Sequence, residues 1–221
     1  MTRWTTWAVG LVLCGCAPFW VAVASLDPGE NLGPSEDRAV VIGRIAQVED
    51  GKEQNMRPPW YERGLPGIAL YRVETGQWFG GATVADKDGN FYWLLPRGTY
   101  LMVQYRYRVL PMEPRTAFQV PPGLGAVYVG TLRIEIDTVH GFLFLGRAQK
   151  GPERIAVLDE FERARTVLET PNPQVAQQVT KHLMVHSLLL PPAAPIFGSL
   201  QWHTLVGVLN ELGLPILTPA H

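Results

Sequence analysis

The chain has 221 residues, 47% hydrophobic and 18% charged, enough to bury one sizeable core and carry an appendage. A formal net charge of -1 leaves no electrostatic footprint for nucleic acid, and 22 glycines with 19 prolines fit a turn-rich β protein. No internal repeat or low-complexity tract is visible, and no motif calls for a cofactor.

Residues 1–15 place Arg3 ahead of the apolar run Trp7-Ala8-Val9-Gly10-Leu11-Val12-Leu13, which is the pattern of an export signal and too short for a membrane span. Leu13-Cys14-Gly15-Cys16 resembles the bacterial lipoprotein lipobox. That resemblance implies lipidation of Cys16 as the mature N-terminus and, with Ala17 next, an outer-membrane lipoprotein facing the periplasm. The competing cut follows Ala22-Val23-Ala24, a small-x-small site that would leave a secreted or soluble periplasmic protein. Either cut leaves at most one of the two cysteines, so no internal disulfide is expected in the mature chain. Residues 16–37 then form the lipidated N-terminus and a flexible tether, since SLDPGENLGPSED has neither helical nor strand period.

Residues 38–137 read as a β-sandwich of about seven strands: 38–48, 67–73, 77–85, 91–95, 100–107, 116–120 and 125–136. Asp88-Gly89 is expected to close a hairpin between the runs 81–85 and 91–95, and Pro96-Arg97-Gly98 makes a second break. Phe91, Trp93 and Leu95 share one face of their strand and Tyr92 and Leu94 the other, so both faces are apolar and the strand belongs inside layers. Gly43-Arg44-Ile45, Pro66-Gly67-Ile68-Ala69-Leu70-Tyr71, Asp86-Lys87-Asp88-Gly89-Asn90-Phe91 and Pro96-Arg97-Gly98-Thr99-Tyr100, in that order, resemble the carboxypeptidase regulatory-like domains of the transthyretin-like (prealbumin-like) superfamily. The resemblance covers roughly residues 39–137 and implies a transthyretin-like sandwich without a catalytic unit of its own.

Residues 138–221 read as a strand followed by a C-terminal α-helical extension. One strand covers 142–145 and another 154–158. Asp159 is expected to cap a helix carrying Phe161, Ala164 and Leu168, with Glu162 three residues on. Asn172 and Pro173 start a second helix whose stripe is Val175, Val179 and Leu183, and a third begins near Ser199 with Trp202, Leu205, Leu209 and Leu212 on one side.

Candidate chemistry is sparse. Trp60 and Tyr61 on a proline-rich loop, with Trp78 and Tyr92, are the aromatics available to stack on a glycan or peptide. His182 and His186, four apart on the expected second helix, have the spacing of a metal-ligand pair, but no H-E-x-x-H motif surrounds them. Asp86 and Asp88 offer two carboxylates where calcium needs six to eight oxygens. Glu160 and Glu162 point different ways on a helix, and Gly198-Ser199 lacks the second glycine of a nucleophile elbow. Tyr105-Arg106-Tyr107-Arg108 is a strand with aromatics on one face and arginines on the other. The expected function is a non-catalytic binding or scaffolding module for an envelope protein or peptide, anchored to the membrane through lipid. A carbohydrate-binding module is the alternative, and a metal-dependent hydrolase at His182 and His186 a third reading.

Overall fold

A computed structural model describes residues 20–27, 37–56, 67–107, 110–140 and 147–217. The long strands are buried on both faces, and the chain answers this pattern with two mixed sheets packed face to face and covered outside. In chain order the strands are β1 (Trp20–Ala22), β2 (Ala24–Ser25), β3 (Arg38–Glu49), β4 (Lys52–Glu53), β5 (Gly67–Arg72), β6 (Gln77–Ala82), β7 (Asn90–Pro96) and β8 (Gly98–Tyr107). Then follow β9 (Leu110–Met112), β10 (Thr116–Val120), β11 (Ala126–Ile136), β12 (Thr138–His140), β13 (Arg147–Gln149) and β14 (Arg154–Leu158). Helices α1 (Phe161–Glu169) and α2 (Pro173–Gln178) precede β15 (Thr180–Lys181) and β16 (Val185–His186), and α3 (Leu200–Glu211) comes last.

The first sheet runs β1-β6-β5-β8-β10-β16, with β9 on β8. The second runs β14-β11-β3-β7-β2, with β15 on β11 and β4 on β3. Between them lie Val41 and Ile45 of β3, Phe91 and Trp93 of β7, Leu132 and Ile134 of β11, and, from the first sheet, Leu70, Phe79, Tyr100, Met102 and Phe118. Each outer face is covered as well. Leu168, Val175 and Ala176 of α1 and α2 bury Val40, Ile42, Tyr92 and Tyr128 of the second sheet, while Leu205 and Leu209 of α3 bury Tyr71, Leu101 and Ala117 of the first. That accounts for a β7 that is apolar on both faces.

The mainly β sandwich with a small helical part is the fold the sequence predicts, but it has two seven-stranded sheets where about seven strands in all are expected, because short strands, among them those within residues 20–25 and 154–186, add to the edges. Three local expectations also need correction. First, the strands flanking Asp88-Gly89 are not partners: β6 pairs with β5 and β1, and β7 pairs with β3 and β2. The turn carries the chain from one sheet to the other, and Pro96-Arg97-Gly98 brings it back. Strand β3 takes up the loop's hydrogen-bonding groups, with Ile45 N donating to Gly89 O, and Trp93 Nε1 donates across the crossing to Thr83 O. Second, residues 20–25 are not tether. β1 lies parallel to β6, β2 antiparallel to β7, and Val23 between them donates to Gly80 O and is buried in the core. This short segment therefore straddles and closes one open side of the sandwich. Third, the second helix ends at Gln178, because residues 180–186 close the opposite side: β15 joins β11, β16 joins β10, and Met184 plugs the core between them. With β14 also paired to β11, the C-terminal part completes both sheets and is no separate appendage.

The third helix starts as its signal predicts, with the Ser199 hydroxyl accepting from Trp202 N. At α1 the cap position falls on Glu160 rather than on the expected Asp159, whose Oδ1 accepts from Phe161 N, and Asn172 stands at the cap position of α2 before Pro173 without a capping bond from its side chain. Arg44, 6% exposed, ties the helical part to the sheet. It donates to Asp88 O, Glu53 and Glu160, and Glu160 also accepts from Thr131 Oγ1 at 2.6 Å. Burial works against the Glu160 charge, but the Thr131 hydroxyl together with Arg44 and Arg163 holds its carboxyl below the usual range. A depressed carboxyl adds stability that is present above its unfolded pKa and is lost as pH falls through its folded value. Arg44→Met is accordingly expected to cost about 2–3 kcal/mol in urea denaturation at pH 7, with a smaller deficit below the pH at which Glu160 protonates.

Candidate functional site

The outer face of the first sheet is only partly covered. Helix α3 and residues 190–195 occupy one part of it, and beside them runs a groove of about 390 Å³ whose lining includes Trp78, Val103, Gln104, Glu113, Gln149 and Glu153. A second recess of about 240 Å³ shares Gln104 and continues past Gly80 to Trp20 and Arg106.

A bulge positions the polar lining. Ala69 pairs with Gln104 and Leu70 with Met102, so Val103 is an extra residue in β8. The alternation shifts there. Tyr100, Met102 and Tyr105 all face the core, while Gln104 and Arg106 line the recesses outside it. Tyr105 uses its inward position to donate its hydroxyl hydrogen to Gln47 Oε1 at 3.1 Å. Gln149, at the end of β13, donates to Glu153 Oε2 at 3.3 Å and so sets both side chains at the far rim. Trp78 forms the apolar part, with its ring 5.1 Å from Trp20 and 5.7 Å from Tyr71. The result is a trough of mixed polarity, with amides along its length, Glu113 and Glu153 in the first recess and Arg106 in the second. Such a surface can hold an extended chain through hydrogen bonds and offers no activated nucleophile.

Of the candidate ligand-binding residues, Trp78 lies in this groove. Tyr92 does not: it is 2% exposed beneath α1 and α2 on the other sheet, where burial, and next the Asp86 charge, push its phenol up to about 12. Cys16, Trp60, Tyr61 and the expected strand 142–145 lie outside the described residues. His182 and His186 stand on an extended segment rather than on a helix. His182 N donates to Tyr128 O of the second sheet, while His186 Nδ1 lies 2.9 Å from Pro114 O at the edge of the first. Four residues of extended chain span about 13 Å, too far for two ligands of one metal ion. Among the described residues no group of three or more His, Cys, Asp or Glu side chains is placed to hold a metal.

The Asp86 carboxylate accepts from Asp88 N, Asn90 N and Asn90 Nδ2, at 2.7 to 3.0 Å, so it organises its own turn. Ser199 is spent as a helix cap. What sequence reasoning missed is Trp20, 52% exposed beside the groove, because it fell within the stretch read as a lipidated tether. An aromatic residue followed by alternating valine and alanine was its one signal, and an export leader ends with the same residue types.

Fold and groove together define a mainly β sandwich, with helices on both outer faces and an open groove on one of them. No known family, curated protein or solved structure matches the chain.

Proposed function

We propose that the protein is an exported, lipid-anchored cell-envelope module that binds an extended segment of a partner protein in the groove at Trp78. The observation that carries the anchoring is the placement of residues 20–25. A cut after Ala24 would remove β1 and Val23 and leave one side of the sandwich open, whereas a cut before Cys16 keeps both. The groove supports a binding role: Gln104, Glu113 and the bonded pair Gln149 and Glu153 are spaced along it. A carbohydrate reading has one observation in its favour, the indoles of Trp20 and Trp78 beside glutamine amides.

The intact mass of the mature protein, extracted from its own envelope, tests the anchor. Acylated Cys16 at the N-terminus is the expected species, and a chain starting at Ser25 would contradict it. A photo-crosslinker at Gln104 tests the ligand. A discrete protein adduct is expected; glycan adducts without any protein adduct would move the assignment to carbohydrate. In vitro, a chain starting at Ser25 should be less stable than one starting at Ala17 by about 2–4 kcal/mol in urea, from exposure of Val23's cavity and loss of the edge pairings.

A further inference from the structure

Among the described residues, four of the most exposed apolar side chains lie near β1, β6 and the start of α3; Leu188 and Leu189, just beyond β16 at the other edge of the first sheet, are exposed as well. Trp20 is 52% exposed, Phe197 51%, Ile196 81% and Leu200 82%. Two contacts place Trp20 and Phe197 along β6 and the turn that leads into it. The Trp20 ring lies over Gly80 and against Trp78, and Phe197 covers Gly76 in the turn that leads into β6 while meeting Trp202 at 5.1 Å. Trp78 and Trp202 both pack on the apolar cluster beneath α3.

Because β1 runs parallel to β6, the chain enters β1 from the end where the Gly76 turn and Phe197 lie. Cys16 is four residues before Trp20, a distance of at most about 14 Å for extended chain. An acyl group on Cys16 therefore holds the start of β1 within one short step of the bilayer. The corner is suited to entering it. Residues 188–210 contain no Asp, Glu, Lys or Arg, Arg106 lines the recess beside Trp20, and tryptophan combines an apolar ring with an N–H that reaches the headgroup layer.

We propose that Trp20, Ile196, Phe197 and Leu200 seat the domain on the membrane surface beside the acylated Cys16, with the groove opening close to the lipid plane. This rests on the lipid-anchor reading of the previous section. Apolar insertion supplies the binding, so raising salt from 0.1 to 1 M should not release the seat.

The test uses the full acylated protein reconstituted into phosphatidylcholine–phosphatidylethanolamine vesicles, with a nitroxide on a single introduced cysteine: Ile196→Cys, Leu200→Cys or, as reference, Lys87→Cys. Lys87 belongs to the loop before β7, whereas the turn after β7 lies beside Arg72 and Glu74, close to the Gly76 turn, so Lys87 marks the opposite end. The labels at 196 and 200 are expected to relax several-fold more with oxygen than with a water-soluble nickel chelate, the label at 87 the reverse, unchanged between 0.1 and 1 M salt. Labels at 196 and 200 as accessible to the chelate as the label at 87, on protein whose mass shows the acyl groups, would overturn the seat and leave the anchor standing. Labels shielded from both agents would also overturn it, in favour of a protein partner on this corner. Protein without acyl groups at Cys16 would remove the anchor reading itself, and the seat with it.

Discussion

Gly89→Ala is expected to leave little folded protein, with a loss of more than about 4 kcal/mol. Two independent causes act at this residue. Its φ of +82° lies in the left-handed region, where a side chain is strained, and a Cβ built there would come within 2.0 Å of Ile45 O. That oxygen is main chain of β3, a central strand of the second sheet, and cannot turn aside as a flexible side chain would. Relief would require pulling the loop off β3, which also breaks the bond from Ile45 N to Gly89 O and unseats the neighbouring bond from Met56 N to Lys87 O. Gly81→Ala is the informative comparison: its φ of +74° carries the same kind of strain, but nothing lies within 4 Å of the added carbon. Urea denaturation of the pair should therefore separate backbone strain, about 1–2 kcal/mol at residue 81, from the close approach that only residue 89 has.

Trp93→Ala is expected to cost about 3–5 kcal/mol. Trp93 is fully buried between the sheets and stacked on Phe91 with ring centroids 3.7 Å apart, so removing the indole leaves a cavity bounded by two β strands that cannot collapse into it. It also strips Thr83 O of its donor at the crossing between β6 and β7. Trp93→Phe retains most of the ring contact and loses the N–H, so it should cost about 1–2 kcal/mol through the unpaired carbonyl and the smaller ring. If thermal unfolding gave equal losses for the two variants, packing on Phe91 would not be what holds this strand.

Much of the architecture could be read from residue patterns. The residue pattern predicts β10 at its observed bounds and β3 to within a residue of its end, because their apolar residues are bracketed by clear turn signals at Pro114, Pro121 and Asp50-Gly51. The α3 stripe also agrees, since Ser199 is a good cap and Trp202, Leu205 and Leu209 have no strand alternative. Pairing was not legible. A turn such as Asp86–Asn90 specifies a change of direction, and whether the next strand lies beside the last or across the core depends on which partner offers free hydrogen-bonding groups; here β3 does. His182 and His186 show the same limit, because a separation of four also fits an extended segment with both residues on one side. Edge pairing with β11 and β10 decided the matter, and neither contact leaves a trace in local sequence. The groove was visible only in part: Trp78 was among the candidates, whereas Gln104 and Arg106 turn outward through a bulge that no pattern announces.

Hydrogen exchange at the amides of Val23 and Leu26, in the mature protein, bears most directly on the claim that residues 20–26 belong to the folded sandwich. Val23 N donates to Gly80 O at 3.0 Å and Leu26 N to Tyr92 O at 2.8 Å, one bond to each sheet. Both amides should exchange slowly, with protection of the same order as neighbouring amides of β7. Exchange at the rate of free peptide, while β7 stays protected, would mean that this segment is a tether after all and that the sandwich closes without it.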